Sequence, residues 1–262
     1  MRNQIFNEDC LQTMSRMSDR SIDLVVTSPP YDNLRSYGNN VDQTWGESVW
    51  KPIISDLCRV IKDGGVIVWV VGDATVNGSE TGSSFKQALY FKECGLNLYD
   101  TMIWTKSGRI PTQDRYYNVF EYMFVFSKGA PSSLNFIVDH KNVSAGQRQR
   151  KDAVINKGKN RKKDGEYFTR KEYSRRGNVW YIPIGSTKGT GKHPATFPES
   201  LARDHIISWS NKGDLVYDPF LGSGTTAKTA MSLKRDYVGS ELNGDYFKIA
   251  QQRITNVQIS LF

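Results

Sequence analysis

The chain has 262 residues, 38% of them hydrophobic and 24% charged, and a net charge of +8. This length can bury a substantial core, as one large α/β domain with an insertion or as two small domains. No apolar run approaches the ~20 residues of a membrane-spanning helix, and three scattered cysteines with no metal-type spacing to the three histidines argue for a reduced, cytoplasmic protein without a catalytic metal.

The opening segment, Met1 to Asp9, has no apolar core of the kind found in secretory signals. Ile22 to Thr27 reads as a buried strand, and Thr27-Ser28-Pro29-Pro30-Tyr31 follows at its C-terminal end. Trp50 to Ile61 carries apolar residues at helical spacing, with Lys62-Asp63-Gly64-Gly65 placed to end the helix through a left-handed glycine. Val66 to Val71 is apolar without alternation, as expected of a strand covered on both faces. A helix over Ser84 to Cys94 and strands over Tyr99 to Thr105 and Tyr122 to Phe126 come next.

At Lys128 the pattern breaks, and to about Arg176 it reads as an insertion with mobile parts. Lys141 to Arg176 holds thirteen Lys and Arg against four Asp and Glu, a net +9, so the remainder of the chain is close to neutral. A contact with a polyanion and a merely solvated loop both fit that excess. Order returns with the strand Val179 to Ile182, then a helix from Pro198 to Trp209, a strand over Leu215 to Tyr217, a helix over Thr225 to Leu233, a strand over Tyr237 to Ser240 and a last helix over Asp245 to Asn256. The alternation predicts a doubly wound α/β sheet.

Two constellations carry chemistry. Asp218-Pro219-Phe220-Leu221-Gly222-Ser223-Gly224-Thr225-Thr226 joins a predicted strand to a predicted helix, and Glu241 ends the next strand. The glycines permit a tight turn close to a ligand, the helix start offers free N–H groups, and the acid can hold ribose hydroxyls. The unit therefore suits a nucleoside-containing cofactor. The third glycine of a nicotinamide fingerprint and the lysine of a phosphate loop are both absent. At the other strand exit, Pro29 and Pro30 stiffen the chain, Ser28 offers a hydroxyl acceptor beside the Pro29 carbonyl, and Tyr31 offers a ring. Two acceptors and a stacking face suit a planar group bearing an NH₂. A proline-rich exit with a packed tyrosine is the alternative.

Together these segments resemble the DNA amino-methyltransferases that make N4-methylcytosine or N6-methyladenine. Phe6 to Leu11 resembles the strand and turn that contact the cofactor adenosine, with Asp9 and Cys10 at the contact. Thr27 to Tyr31 resembles the catalytic motif. Thr101 to Lys106 resembles the strand beside the target-base pocket, placing Trp104 and Lys106 there. Lys192 to Glu199 resembles the motif flanking the cofactor methionine, with His193, Pro194 and Phe197 as cofactor residues. Asp218 to Thr226 resembles the cofactor loop. The order matches the family's beta group.

The resemblance implies a circularly permuted Rossmann-like sheet with a catalytic half over 1–127, a target-recognition insertion over 128–178 and a cofactor half over 179–262. It implies S-adenosyl-L-methionine (AdoMet) as methyl donor, duplex DNA as substrate, a flipped target base and a nucleoid location. A cognate restriction endonuclease is a candidate partner. Arg161, Lys162, Lys163, Arg175 and Arg176 are expected to contact phosphates. Ser28 in place of an acid resembles the N4-cytosine subgroup. N6-adenine, RNA or protein-glutamine methylation and a catalytically dead DNA-binding protein are the competing readings. Asp73 either hydrogen-bonds Ser28 and takes a departing proton or caps the next segment.

Overall fold

A computed structural model describes residues 1–30, 45–110, 114–150, 167–184 and 198–260. In chain order the described elements are β1 (Gln4–Phe6), α1 (Cys10–Ser15), β2 (Ile22–Thr27), α2 (Glu47–Val60), β3 (Ile61–Val71), a small ribbon of β4 (Thr75–Val76) and β5 (Ser79–Glu80), and α3 (Ser83–Glu93). They continue with β6 (Asn97–Ile110), β7 (Asn118–Ser127), β8 (Val138–Lys141), β9 (Arg148–Arg150), β10 (Tyr167–Thr169), β11 (Tyr173–Arg175) and β12 (Val179–Tyr181). The last are α4 (Glu199–Trp209), β13 (Leu215–Asp218), α5 (Thr225–Ser232), β14 (Asp236–Ser240) and α6 (Gly244–Ser260).

Eight strands form one sheet in the order β1-β14-β13-β2-β3-β7-β6-β12. Every neighbouring pair is parallel except the two made by β7, which runs antiparallel between β3 and β6. The C-terminal ends of β2, β3, β6, β13 and β14 therefore share one edge. From the central pair, β13 leads outward through α5 to β14, and β2 leads the other way through α2 to β3. Connections that diverge from adjacent strands leave a crevice between them, where open α/β sheets bind ligands.

Central strands are apolar on both faces because helices cover both. Val25, Ile67, Trp69, Val71 and Tyr217 pack with Ile54 and Leu57 of α2 and with Phe91 of α3. Their neighbours Leu24, Val26, Val68 and Val216 are also fully buried and, by strand alternation, face the opposite side.

The glycine cap expected at Gly64-Gly65 is not where α2 ends. The helix closes at Ile61 in extended conformation, and the chain passes directly into β3. Between Ile22↔Ile61 and Leu24↔Val66 the register shifts, so Lys62 to Gly65 bulge out of the β2–β3 ladder. Gly64, with φ +78°, turns its N–H to the Lys128 carbonyl at 2.6 Å and its carbonyl to the Ser132 N–H at 2.9 Å. A local helix-stop signal was outweighed by a tertiary pairing with the segment after β7.

Residues 136–177 form a separate compact unit. Its described residues include two antiparallel ribbons, β8 with β11 and β9 with β10. The guanidinium of Arg148 lies 4.6 Å from the Tyr167 ring centre, and that of Arg175 lies 4.3 Å from the Phe136 ring centre. Arg176 pairs with Asp139, whose carboxyl it holds below the usual range.

Candidate active site

β2 and β13 lie side by side, in register at Val216↔Leu24 and Tyr217↔Val25. Their C-terminal ends meet through one side-chain bond: the Thr27 hydroxyl donates to Asp218 Oδ1 at 2.6 Å, fully buried. The same carboxylate oxygen accepts the Phe220 N–H at 3.1 Å. Thr226 ties the loop back to β2 by donating to the Val26 carbonyl at 3.2 Å. The two constellations read from the sequence are therefore one structure. Burial pushes the Asp218 carboxyl up to about 6, against the lowering effect of the bonds from Thr27 and Phe220.

The loop itself is mostly buried. Pro219 is covered, and the Phe220 ring meets Trp45 and Trp69 edge-on at centroid distances of 5.4 and 6.1 Å. Gly222 and Gly224 adopt φ +55° and +82°, a region where a Cβ is strained. At Gly224 a Cβ would also stand 2.9 Å from the Ala250 Cβ of α6. Gly224 is the N-cap of α5 and supplies no side-chain bond to its free N–H groups. Ser223 and Thr225 are buried and engaged by Arg253, a residue the sequence reading did not single out.

Glu241 follows β14 at the same edge. Its Oε2 accepts the Gly222 N–H at 2.7 Å and its Oε1 the Asn243 N–H at 2.8 Å. Burial raises its carboxyl above the usual range. Each oxygen retains a second acceptor position, which is what a pair of vicinal ribose hydroxyls requires. Asp9 caps α1 by accepting the Leu11 N–H at 2.7 Å, and Cys10 is buried with its thiol raised by desolvation. On chemical grounds the loop, the acid and the Asp9 turn fit a nucleoside cofactor. A cavity of about 900 Å³ lies elsewhere, between β1 and α6, lined by Asn3, Phe6, Tyr237 and Gln252 among others.

Ser28 is half-buried, Pro29 buried and Pro30 half-buried directly beyond Thr27. Tyr31 lies outside the described residues, as do Arg161, Lys162, Lys163, His193, Pro194 and Phe197. Of the two readings of Asp73, a bond to Ser28 or a cap on the next segment, its contacts support the cap. Its carboxylate accepts the Ser84 N–H at 2.9 Å, the Ser84 hydroxyl at 2.5 Å and the Ser83 hydroxyl at 3.2 Å. Asp73 thus caps α3, whose N-cap position is Gly82 and offers no side chain. Three donors at the uncapped start of α3, ten and eleven residues along the chain, take up its carboxylate.

At the far side of the edge, Trp104 is 4% exposed and donates its indole N–H to the Ile182 carbonyl at 2.8 Å. Lys106 sits over the Trp104 ring, 5.0 Å from its centre, and pairs with Glu121 of β7. Both charged side chains are about nine-tenths buried. Glu121 stands opposite Trp104 in the ladder and was hidden in the sequence by its apolar surroundings.

A family model for DNA methylases matches residues 22–252. The orphan methyltransferase M.BamHII of Bacillus amyloliquefaciens is 50% identical over 252 residues, which span 92% of this chain and 91% of that protein. The type II methyltransferase M.BglII of Bacillus subtilis is 28% identical, over 95% of this chain and 68% of its own length. Among solved structures, the cytosine-N4-specific PvuII DNA methyltransferase superposes with a TM-score of 0.71 at 19% identity, covering 98% of this chain and 91% of that one. The M1.HpyAVI–SAM complex superposes with a TM-score of 0.61 at 20% identity, covering 96% and 98%. These last two establish the shared fold. With a family match across most of its length and a half-identical relative, the chain belongs to the N6/N4 DNA methylase family and is a DNA methyltransferase.

Proposed function

We propose that the enzyme transfers a methyl group from AdoMet to the exocyclic N4 of cytosine in duplex DNA. The observation that carries this reading is the buried Thr27–Asp218 bond, which locks the Ser28-Pro29 exit to the start of the glycine loop. Nucleophile and donor would be held by adjacent strands, and fixing two reactants in register removes much of the entropic barrier. Glu241, Asp9 and Cys10, the Gly222-to-Thr226 turn, and His193, Pro194 and Phe197 would hold AdoMet, which supplies an electrophilic methyl on its sulfonium when bound.

The protein's own contribution is orientation and electrostatics. A target cytosine turned out of the helix would stack on Tyr31. Its amino group would donate to the Ser28 hydroxyl and the Pro29 carbonyl. These acceptors localise the nitrogen lone pair and stabilise the positive charge that grows on it as the methyl–sulfur bond breaks, which leaves S-adenosylhomocysteine as the neutral sulfide; the surplus amino proton would pass to water. The Lys106–Glu121 pair, with the Trp104 ring beneath it, would form a wall of the base pocket. Arg161, Lys162, Lys163, Arg175 and Arg176 would place the duplex through its phosphates, making 136–177 the target-recognition unit. Ser28 itself favours cytosine over adenine, by the same resemblance that identifies the motif.

The test is a nucleoside digest. Incubation with duplex DNA and AdoMet, followed by mass spectrometry, should yield N4-methylcytosine. N6-methyladenine as the sole product would overturn the base assignment.

A further inference from the structure

Arg253 lies within α6 and is only 8% exposed, an unusual burial for a guanidinium. Its Nη1 donates to the Ser223 carbonyl at 2.6 Å, to the Ser223 hydroxyl at 2.8 Å and to the Thr225 hydroxyl at 3.3 Å. Its Nη2 is buried without a hydrogen-bond partner and stands 4.0 Å from Glu199 Oε2. That Glu199 oxygen is already taken by Lys228 of α5 at 2.7 Å. Two cations thus share one carboxylate beneath the start of α5, leaving an excess positive charge there. A buried charge that is only partly paired is costly, and an apolar side chain of similar volume would usually serve stability as well or better. The aligned N–H groups at the start of α5 add partial positive charge at the same place.

This surplus lies in a defined position along the cofactor loop. Glu241 marks the ribose end, at Gly222. Arg253 marks Ser223 to Thr225, next to α4, whose first residue is Glu199. A nucleoside-bound amino acid whose ribose rests on Glu241 would extend its charged tail toward that second group.

We infer that Arg253 is a positioning residue that shapes the Ser223–Thr225 stretch and supplies the positive potential that holds the carboxylate of the donor's methionine moiety. The inference rests on the AdoMet reading above. It predicts a selective effect. S-adenosylhomocysteine carries the amino-carboxylate tail, and 5′-methylthioadenosine lacks it, while both carry the adenosine that Glu241 would hold.

The experiment is calorimetric titration of both ligands into the wild type, Arg253→Gln, Arg253→Lys and Glu199→Gln, with a thermal melt of each protein. Arg253→Gln should weaken S-adenosylhomocysteine at least about tenfold and leave 5′-methylthioadenosine within about twofold. Arg253→Lys should recover most of the loss. Glu199→Gln, which removes the competing anion, should tighten S-adenosylhomocysteine alone. Equal loss of both ligands would reduce Arg253 to a structural role and overturn the inference, as would no change in either. If Arg253→Gln does not fold, the Glu199→Gln titration decides, and unchanged affinity for the tailed ligand there overturns the inference. A wild type that binds neither ligand would instead sink the AdoMet reading on which the inference stands.

Discussion

Asp218 is held charged only with effort. Its pKa near 6 lies above the usual aspartate value because burial opposes ionisation more than its hydrogen-bond donors favour it. The folded state therefore binds a proton between about pH 4 and 6 that the unfolded chain has released. Stability from this group is present below the unfolded pKa and is lost as pH rises through 6, on the order of 3 kcal/mol in all. Asp218→Asn should remove that fall, and denaturant melts of wild type and variant across pH 4 to 7.5 will show whether their difference has this slope. A difference that is flat with pH would contradict the assignment. Glu241 gives the second prediction at this scale. Glu241→Gln keeps the shape but loses the charge, and a charge-assisted hydrogen bond contributes roughly 1.5–3 kcal/mol. S-adenosylhomocysteine should bind about ten- to a hundredfold more weakly, as read by calorimetry, with the fold intact by circular dichroism.

The contrast between Ser28 and Asp73 belongs to the elements that carry them. Ser28 follows β2 at the central crevice, whereas Asp73 serves the start of α3. Asp73→Ala should cost about 1 kcal/mol of stability, the usual effect of losing a helix cap, and lower kcat by less than tenfold. Ser28→Ala should lower kcat by about 10²–10³, the scale of removing one acceptor aimed at developing charge. Comparable losses of kcat in both would restore Asp73 to the chemistry. Strand and helix positions were largely legible because the apolar periods of 2 and 3.6 are local properties. The Gly64 bulge and the antiparallel placement of β7 were not, since each depends on a partner strand rather than on its own residues. The same holds within the site. Thr27 and Asp218 were both legible as site residues, but their bond spans 191 positions and has no local trace. Arg253 was invisible because one arginine in an amphipathic helix reads as solvent-facing until the turn it supports is known.

At the scale of the molecule, charge is segregated. The net +9 of Lys141 to Arg176 coincides with the unit over 136–177, while the rest of the chain is nearly neutral. If some six of those cations meet phosphates, DNA affinity should fall by about 10³ between 50 and 200 mM salt. Fluorescence anisotropy on a labelled duplex measures this, and a flat response would remove the unit from DNA binding. S-adenosylhomocysteine affinity, which the proposed function assigns to residues of the other unit, should respond far less. The centre of the sheet has a different consequence, one of timing. β2 ends at residue 27, and its neighbour β13 begins at residue 215. A ribosome adding about 5–20 residues per second needs roughly 10–40 s to cover that interval. Throughout it, one side of β2 has no ladder to join, and the unpaired backbone along Leu24-Val25-Val26 would be an adhesive edge for neighbouring chains. The nascent chain would need shielding by chaperones or by its own early helices until β13 emerges, and its yield should be sensitive to translation speed.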